Sequence, residues 1–228
     1  MDNLNITVDL ETCSLCPTAA VMSVGAVAWN PENTETPFLS KKDCLCSSQF
    51  LEHVDLRSQF LDGFDFDAAT ADWWKSAKPE ARAAVLANDD IPLQPIREVI
   101  LNLFAWIEHI KESCNANSVH LWAQGTDFDI AILRHICHVC VLKMPISHQS
   151  FRDHRSVYLE NAKFFCKLAG KPFDEKEAYH LVAEYKGEGA PHDPIFDCKR
   201  SISSTWQMFR LLEEKVNELK YYSHTGII

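Results

Sequence analysis

The sequence predicts a mixed α/β sheet flanked by helices. Three observations carry that expectation. Strand-like runs crowd the first quarter of the chain, residues 95–113 repeat apolar side chains at spacings of three and four, and a buried strand-like run at 119–123 lies between helical stretches. Strands that come first and then alternate with helices suggest such a sheet.

Residues 5–10 (NITVDL) and 20–29 (AVMSVGAVAW) read as strands, and with a third around 48–54 they suggest an antiparallel meander. Pro17, in the loop TCSLCPT, keeps either strand from running on. Thr70 is expected to cap a helix through ADWWKSAKP, and Pro79 to start another through EARAAVLAN. Over 95–113, Ile96, Val99, Ile100, Leu103, Phe104, Ile107 and Ile110 make one apolar helical face. VHLWA at 119–123 reads as a buried strand, followed by helices over about 127–142, 153–168 and 194–219. No repeat, low-complexity segment or linker interrupts the pattern, so residues 1–228 read as one domain.

With 46% hydrophobic and 11% aromatic residues the chain can bury a substantial core, which excludes a disordered protein. Its start, MDNLNITVDL, lacks the basic stretch and apolar core of a signal peptide. No run of about 18 apolar residues offers a membrane span, so a cytoplasmic protein is expected. Nine cysteines are an odd total, which disfavours a disulfide framework. Cys13/Cys16, Cys44/Cys46 and Cys137/Cys140 are closely spaced, the last interleaved with His135 and His138. Their surroundings are too different to converge on one zinc ion, and reduced, partly buried thiols are the expectation. The formal charge of −10 disfavours a protein that coats long duplexes through a basic stripe. It still permits an enzyme that grips a short polyanionic end through divalent metals.

Three segments place acids where chemistry needs them. Asp9 and Glu11, two apart on a strand, share one face, while Val8 and Leu10 point into a core. Two such carboxylates raise each other's pKa, and a divalent cation relieves the repulsion; a solvated surface strand is the plainer alternative. In Trp122-Ala-Gln-Gly-Thr-Asp-Phe-Asp129, a strand ends and a helix begins with Asp127 and Asp129 in its first turn. Acids there suit the helix dipole, and Asp127 can be only a cap. Such strand-to-helix junctions also gather active sites in open α/β sheets. In His192-Asp-Pro-Ile-Phe-Asp197, Pro194 suits a first helical turn, so His192 lies in the loop before it and Asp197 on the helix. Gly187 and Gly189 give that loop freedom to move. A lone loop histidine is otherwise an ordinary solvent-facing side chain.

Together, Asp9-Leu-Glu11, Phe128-Asp129, and His192 with Asp197 resemble the three ordered blocks of the DEDD 3′→5′ exonucleases, in the histidine-bearing subclass. Further matches are Pro17–Val21, Val24–Val27, Asp72-Trp73-Trp74 with Pro79–Arg82, and Arg152–Arg155. They look like the branch containing bacterial RNase AS and the phage exonuclease A type. Cys13 and Cys16 depart from that pattern, in a loop where small polar or glycine residues are expected. The resemblance implies an RNase H-like fold and two Mg²⁺ or Mn²⁺ ions held by Asp9, Glu11, Asp129 and Asp197. It implies His192 as general base and release of nucleoside 5′-monophosphates from single-stranded 3′ ends. It leaves RNA and DNA both open, and it admits a homodimer.

Trp73 or Trp74 could stack a terminal base, beside Phe128 of the second block. Adjacent helical residues point about 100° apart, so one tryptophan is expected in the core. Arg152 and Arg155 could contact phosphates or close a neighbouring subunit's site, or simply pair with surface acids. The run Leu61–Asp67 lacks EF-hand spacing and reads as a solvated turn with a helix cap. The rivals are a catalytically inactive nucleic-acid-binding protein on the same fold, and a zinc hydrolase using the His/Cys-rich helix at 135–140. The first must explain why all five side chains are present.

Overall fold

The computed structural model describes residues 2–60, 62–85 and 92–225, with side chains as far as residue 221. The expected meander is there: β1 (Asn3–Thr12), β2 (Val21–Trp29) and β3 (Gln49–Val54) pair antiparallel in sequence order. Next come the helices α1 (Ala68–Ser76) and α2 (Pro79–Val85). The expected continuation of α2 over 86–88 lies outside the described residues, as does Leu61 of the acidic run. Asp67, not Thr70, caps α1: its carboxylate accepts the Thr70 N–H at 2.8 Å and the Thr70 hydroxyl at 2.9 Å. Thr70 thus sits one turn inside the helix that it was expected to open, and the acidic run supplies the cap.

After the two-residue β4 (Leu93–Gln94), α3 (Ile96–Ser113) buries Ile96, Val99, Ile100, Leu103, Ile107 and Ile110. All six belong to the face read from periodicity, and Phe104 packs half-buried beside them. The strand β5 (Ser118–Ala123) pairs parallel to β1 and leads into a π-helical turn, Thr126–Ile130, that opens α4 (Ala131–Val139). That helix ends earlier than the expected 142. Val141 takes a left-handed φ of 54°, a conformation that terminates helices. A three-residue strand, β6 (Phe151–Asp153), precedes α5 (His154–Leu168), and α6 (Glu175–Ala178) is a single turn. The last helix, α7 (Pro194–Thr225), outruns its expected end at 219. The described strands form one mixed sheet in the order β4-β3-β2-β1-β5-β6.

The pleat of β1 divides the molecule. Leu4, Ile6, Val8 and Leu10 face α3 and α4 in the main core. The opposite face carries Asn5, Thr7, Asp9 and Glu11 and is covered by α5 and α7. Asn5 and Thr7 on this face are paired, which spares them a desolvation penalty. Asn5 Oδ1 accepts from the Trp122 indole at 2.8 Å, and Thr7 Oγ1 meets His154 Nε2 at 2.8 Å. The other His154 nitrogen meets Thr205 Oγ1 on α7 at 2.7 Å, and burial pushes this histidine down to about 3, so it stays neutral. Among the described residues no helix is long and apolar enough to cross a membrane.

One contact sets where α7 begins. Gly25 of β2, opposite Asp9 in the ladder, lies against Pro194, and a Cβ added at Gly25 would fall 2.4 Å from Pro194 Cβ. Only a bare backbone admits the helix so close to the strand. Gly25→Ala should therefore push the α7 N-terminus off the sheet, at a cost of about 1–3 kcal/mol. Thermal denaturation should show a Tm several degrees lower; a wild-type melt would mean the contact does not position the helix.

Candidate active site

The β1–β5 ladder ends at Thr7 and Trp122, so the two strands diverge just before Asp9. Asp129 fills the gap. Its Oδ1 accepts the Leu10 N–H at 3.1 Å, which draws the carboxylate, 4% exposed, to the β1 acids. The turn carrying it is held by Asp153, which accepts the Thr126 N–H at 2.9 Å while capping α5 through Ser156 N–H. Asp127 is exposed and does not line the cavity that Asp129 lines.

From the other side, α7 brings Asp197. Asp193 caps this helix by accepting the Ile195 N–H at 2.9 Å. Asp197 Oδ2 accepts the backbone N–H of His192 at 2.8 Å, folding the loop back over the helix start with His192 at φ 71°. The imidazole lies edge-to-face with Trp73 and Trp74, at centroid distances of 4.8 and 6.0 Å. Its Nδ1 is 3.9 Å from Glu11 Oε1. Gly187 serves a close approach, because a Cβ there would overlap the Tyr185 phenol.

The third wall is α1. The Trp74 indole donates to Thr12 O at 3.0 Å and is 8% exposed, while Trp73 stands 45% exposed. One tryptophan is core and the other faces out, as expected of adjacent helical positions. The Cys13–Ala20 loop is tied to the segment before α1, with Asp65 N–H donating to Thr18 O, Asp67 N–H to Cys13 O, and the Ser14 hydroxyl to the Asp65 carboxylate.

Asp9, Glu11, Asp129, Asp197 and His192 thus line one cavity of about 560 Å³, together with Trp73, Trp74 and Phe128. Arg152 and Arg155 do not line it. Arg152 donates to the carbonyls of Gln149 and Phe151, and Arg155 to the carbonyl of Gln124. Lining residues the sequence reading missed include Thr12, Leu15, Thr70 and Gln124. It also missed Arg200, whose Nη2 is 3.1 Å from Asp197 Oδ1. Its i,i+3 placement from Asp197 was a readable signal; a leucine in a loop offers none.

The acids are electrostatically unsettled. Desolvation raises Glu11 to about 9, with Asp197, Asp129 and Asp193 adding repulsion. Desolvation also raises Asp129 to about 7, against the lowering effect of its backbone hydrogen bonds. Asp9 is raised well above its ordinary value, by desolvation first and then by Asp129, Glu11 and Asp197. Ligand atoms of Glu11, His192 and Asp197 lie within 4.8 Å of one another, the sole such cluster found among the described residues. Asp197 Oδ1 is buried with no well-formed hydrogen bond, although Arg200 is near. Carboxylate oxygens crowded in this way suit hard divalent cations. His135, Cys137, His138 and Cys140 form no such cluster, and all nine cysteines are free.

These shifts fix a pH dependence. Glu11 and Asp129 have ordinary values of 4.5 and 3.8. Between those values and about 9 or 7, the metal-free folded state holds protons that the unfolded chain has released. Stability therefore falls as pH rises through that window. Divalent cations held by these carboxylates would replace those protons, so Mg²⁺ or Mn²⁺ should raise Tm more at about pH 8.5 than at about pH 5.5. Melts in chelator and in metal at both pH values test this; equal shifts, or none, would contradict it.

Comparison with solved structures establishes the fold as RNase H-like α/β. The nuclease domain of 3′hExo, a DEDDh family member bound to rAMP, matches with TM-score 0.52 and 14% identity over 91% of this chain and 92% of that one. Cell-death related nuclease 4 (CRN-4) matches with TM-score 0.60 and 12% identity over 92% and 64%. The zinc-bound E. coli ExoI–ssDNA complex matches with TM-score 0.53 and 15% identity over 99% and 43%, so this chain spans less than two thirds of the last two. No curated protein matches the chain in sequence. A family model does, over residues 4–205, and the chain therefore belongs to the family of the 3′-5′ exoribonuclease Rv2179c-like domain.

Proposed function

We propose that the protein is a metal-dependent 3′→5′ exonuclease of the DEDDh type that releases nucleoside 5′-monophosphates from single-stranded RNA. The observation that carries this is the meeting of Asp9, Glu11, Asp129, Asp197 and His192 in one cavity, from three separate segments of the chain. RNA is favoured over DNA by the family's description and by the rAMP held by one structural neighbour, although another neighbour holds ssDNA. Asp72-Trp73-Trp74 and Arg152–Arg155 favour the branch of bacterial RNase AS and the phage exonuclease A type. Residues 1–228 would form one exonuclease domain. Nine free cysteines suit the reducing cytoplasm.

Two Mg²⁺ or Mn²⁺ ions, held by the four carboxylates, would supply charge neutralisation and water activation. The chain's own groups do the rest. Trp73 offers an exposed face to the terminal base, and Phe128 lines the same cavity. His192, braced by the two tryptophans and 43% exposed, accepts the proton of the attacking water. The water oxygen bonds to phosphorus as its proton passes to His192, the bond to the 3′ oxygen breaks, and that oxygen takes up a proton from solvent. Arg152 lies outside its own chain's cavity, and a homodimer would be one way to bring it to a substrate.

The test is digestion of matched single-stranded RNA and DNA labelled at the 5′ end. A ladder receding from the 3′ end of RNA, dependent on Mg²⁺ or Mn²⁺, is expected; a ladder on DNA alone would reverse the substrate assignment. Asp9→Ala should keep the fold and abolish release of mononucleotides, and normal activity in a clean preparation would sink the assignment. His192→Ala should lower kcat by about 10²- to 10⁴-fold. An inactive wild type that still binds RNA would favour the binding-protein reading.

A further inference from the structure

A second cavity, of about 470 Å³, opens between the N-terminal parts of α5 and α7, and Gln124 lines both it and the catalytic cavity. Two arginines flank it in a chain of net charge −10. Arg200 reaches it from α7 while its Nη2 stands 3.1 Å from Asp197 Oδ1, so this guanidinium touches the catalytic cluster and borders the second cavity at once. Arg155, exposed at the start of α5, donates to the Gln124 carbonyl at 3.1 Å. Each guanidinium carries five N–H donors, more than these contacts use. Glu184 is the one acid on the lining.

The aromatic side of the cavity is equally specific. Tyr179 stacks on Tyr158 with centroids 5.4 Å apart and planes 3° from parallel. Tyr158 is 3% exposed and anchored by its hydroxyl to Ala178 O at 2.7 Å. Tyr179 is 44% exposed, so a fixed inner ring holds an outer ring open to a ligand. An aromatic face with two guanidinium groups lining the same cavity is the chemistry that takes a base and its phosphate without reading sequence.

We propose that this cavity seats the nucleotide on the 5′ side of the scissile phosphate, with its base on Tyr179 and its phosphate between Arg155 and Arg200. The inference rests on the exonuclease reading above, and it makes the preferred substrate a strand of at least two nucleotides. The test compares an oligonucleotide with the 4-nitrophenyl ester of uridine 5′-monophosphate, which has no nucleotide on that side. Tyr179→Ala should raise KM for the oligonucleotide about tenfold. It should leave kcat/KM for the ester within about twofold, since the stacking lost is a contact the ester never makes. Tyr179→Phe, which keeps the ring, should behave as wild type on both. Arg155→Gln, at an exposed position that does not endanger folding, should lower the salt-dependence slope of oligonucleotide binding by about one.

Equal losses on ester and oligonucleotide would show Tyr179 to be a structural support and overturn the proposal. So would an unchanged KM for the oligonucleotide, or an unchanged salt slope. A wild-type protein that cleaves neither substrate would instead refute the exonuclease reading, and the subsite with it.

Discussion

Asp9, Glu11, Asp129 and Asp197 meet where water is scarce, and like charges gathered there disfavour the folded, metal-free protein. Much of the local architecture makes sense as a means of holding them together. The Leu10 N–H fixes Asp129, the Asp153 carboxylate steadies the turn that carries it, and Gly25 lets Pro194 bring α7 against the sheet. Each acts on the backbone, through an N–H that is bonded or a Cβ that is absent. The same strain explains how an acidic protein would bind a polyanion, since cations drawn to these oxygens bridge two negative partners.

The histidine is held by the same means. The His192 N–H is spent on Asp197, its ring is framed by Trp73 and Trp74, and Trp74 is moored to the last residue of β1. A shift of α1 or of the α7 N-terminus therefore moves the proposed base relative to the acids. Arg200 ties the same cluster to the neighbouring cavity, so a strand reaching both would feel the acids and the guanidinium together.

Much of this was legible in the sequence because it follows from period and spacing. Alternation in β1 put Asp9 and Glu11 on one face, the three-and-four repeat of 95–113 identified the buried side of α3, and Pro194 divided the His192 loop from the Asp197 helix. What escaped depends on tertiary contact. Asp67 and Thr70 are both plausible cap residues three apart, and only the backbone direction entering α1 decides between them. Strands as short as β4 and β6 have no period to read. Gly25 reads as a glycine within a strand, and its contact with Pro194 is a tertiary fact. For Arg155 the sequence leaves a phosphate contact, a neighbouring subunit's site and a surface ion pair all open, and carries no sign of the separate cavity that it lines.

The central claim is that the four carboxylates form a divalent-metal centre. Crystals grown in Mn²⁺ and measured for anomalous scattering test it most directly. The account predicts two peaks among Asp9, Glu11, Asp129 and Asp197, lost in the Asp9→Ala variant. Absence of manganese from that cavity at saturating concentration, or peaks confined to the cysteine-bearing segments, would contradict it.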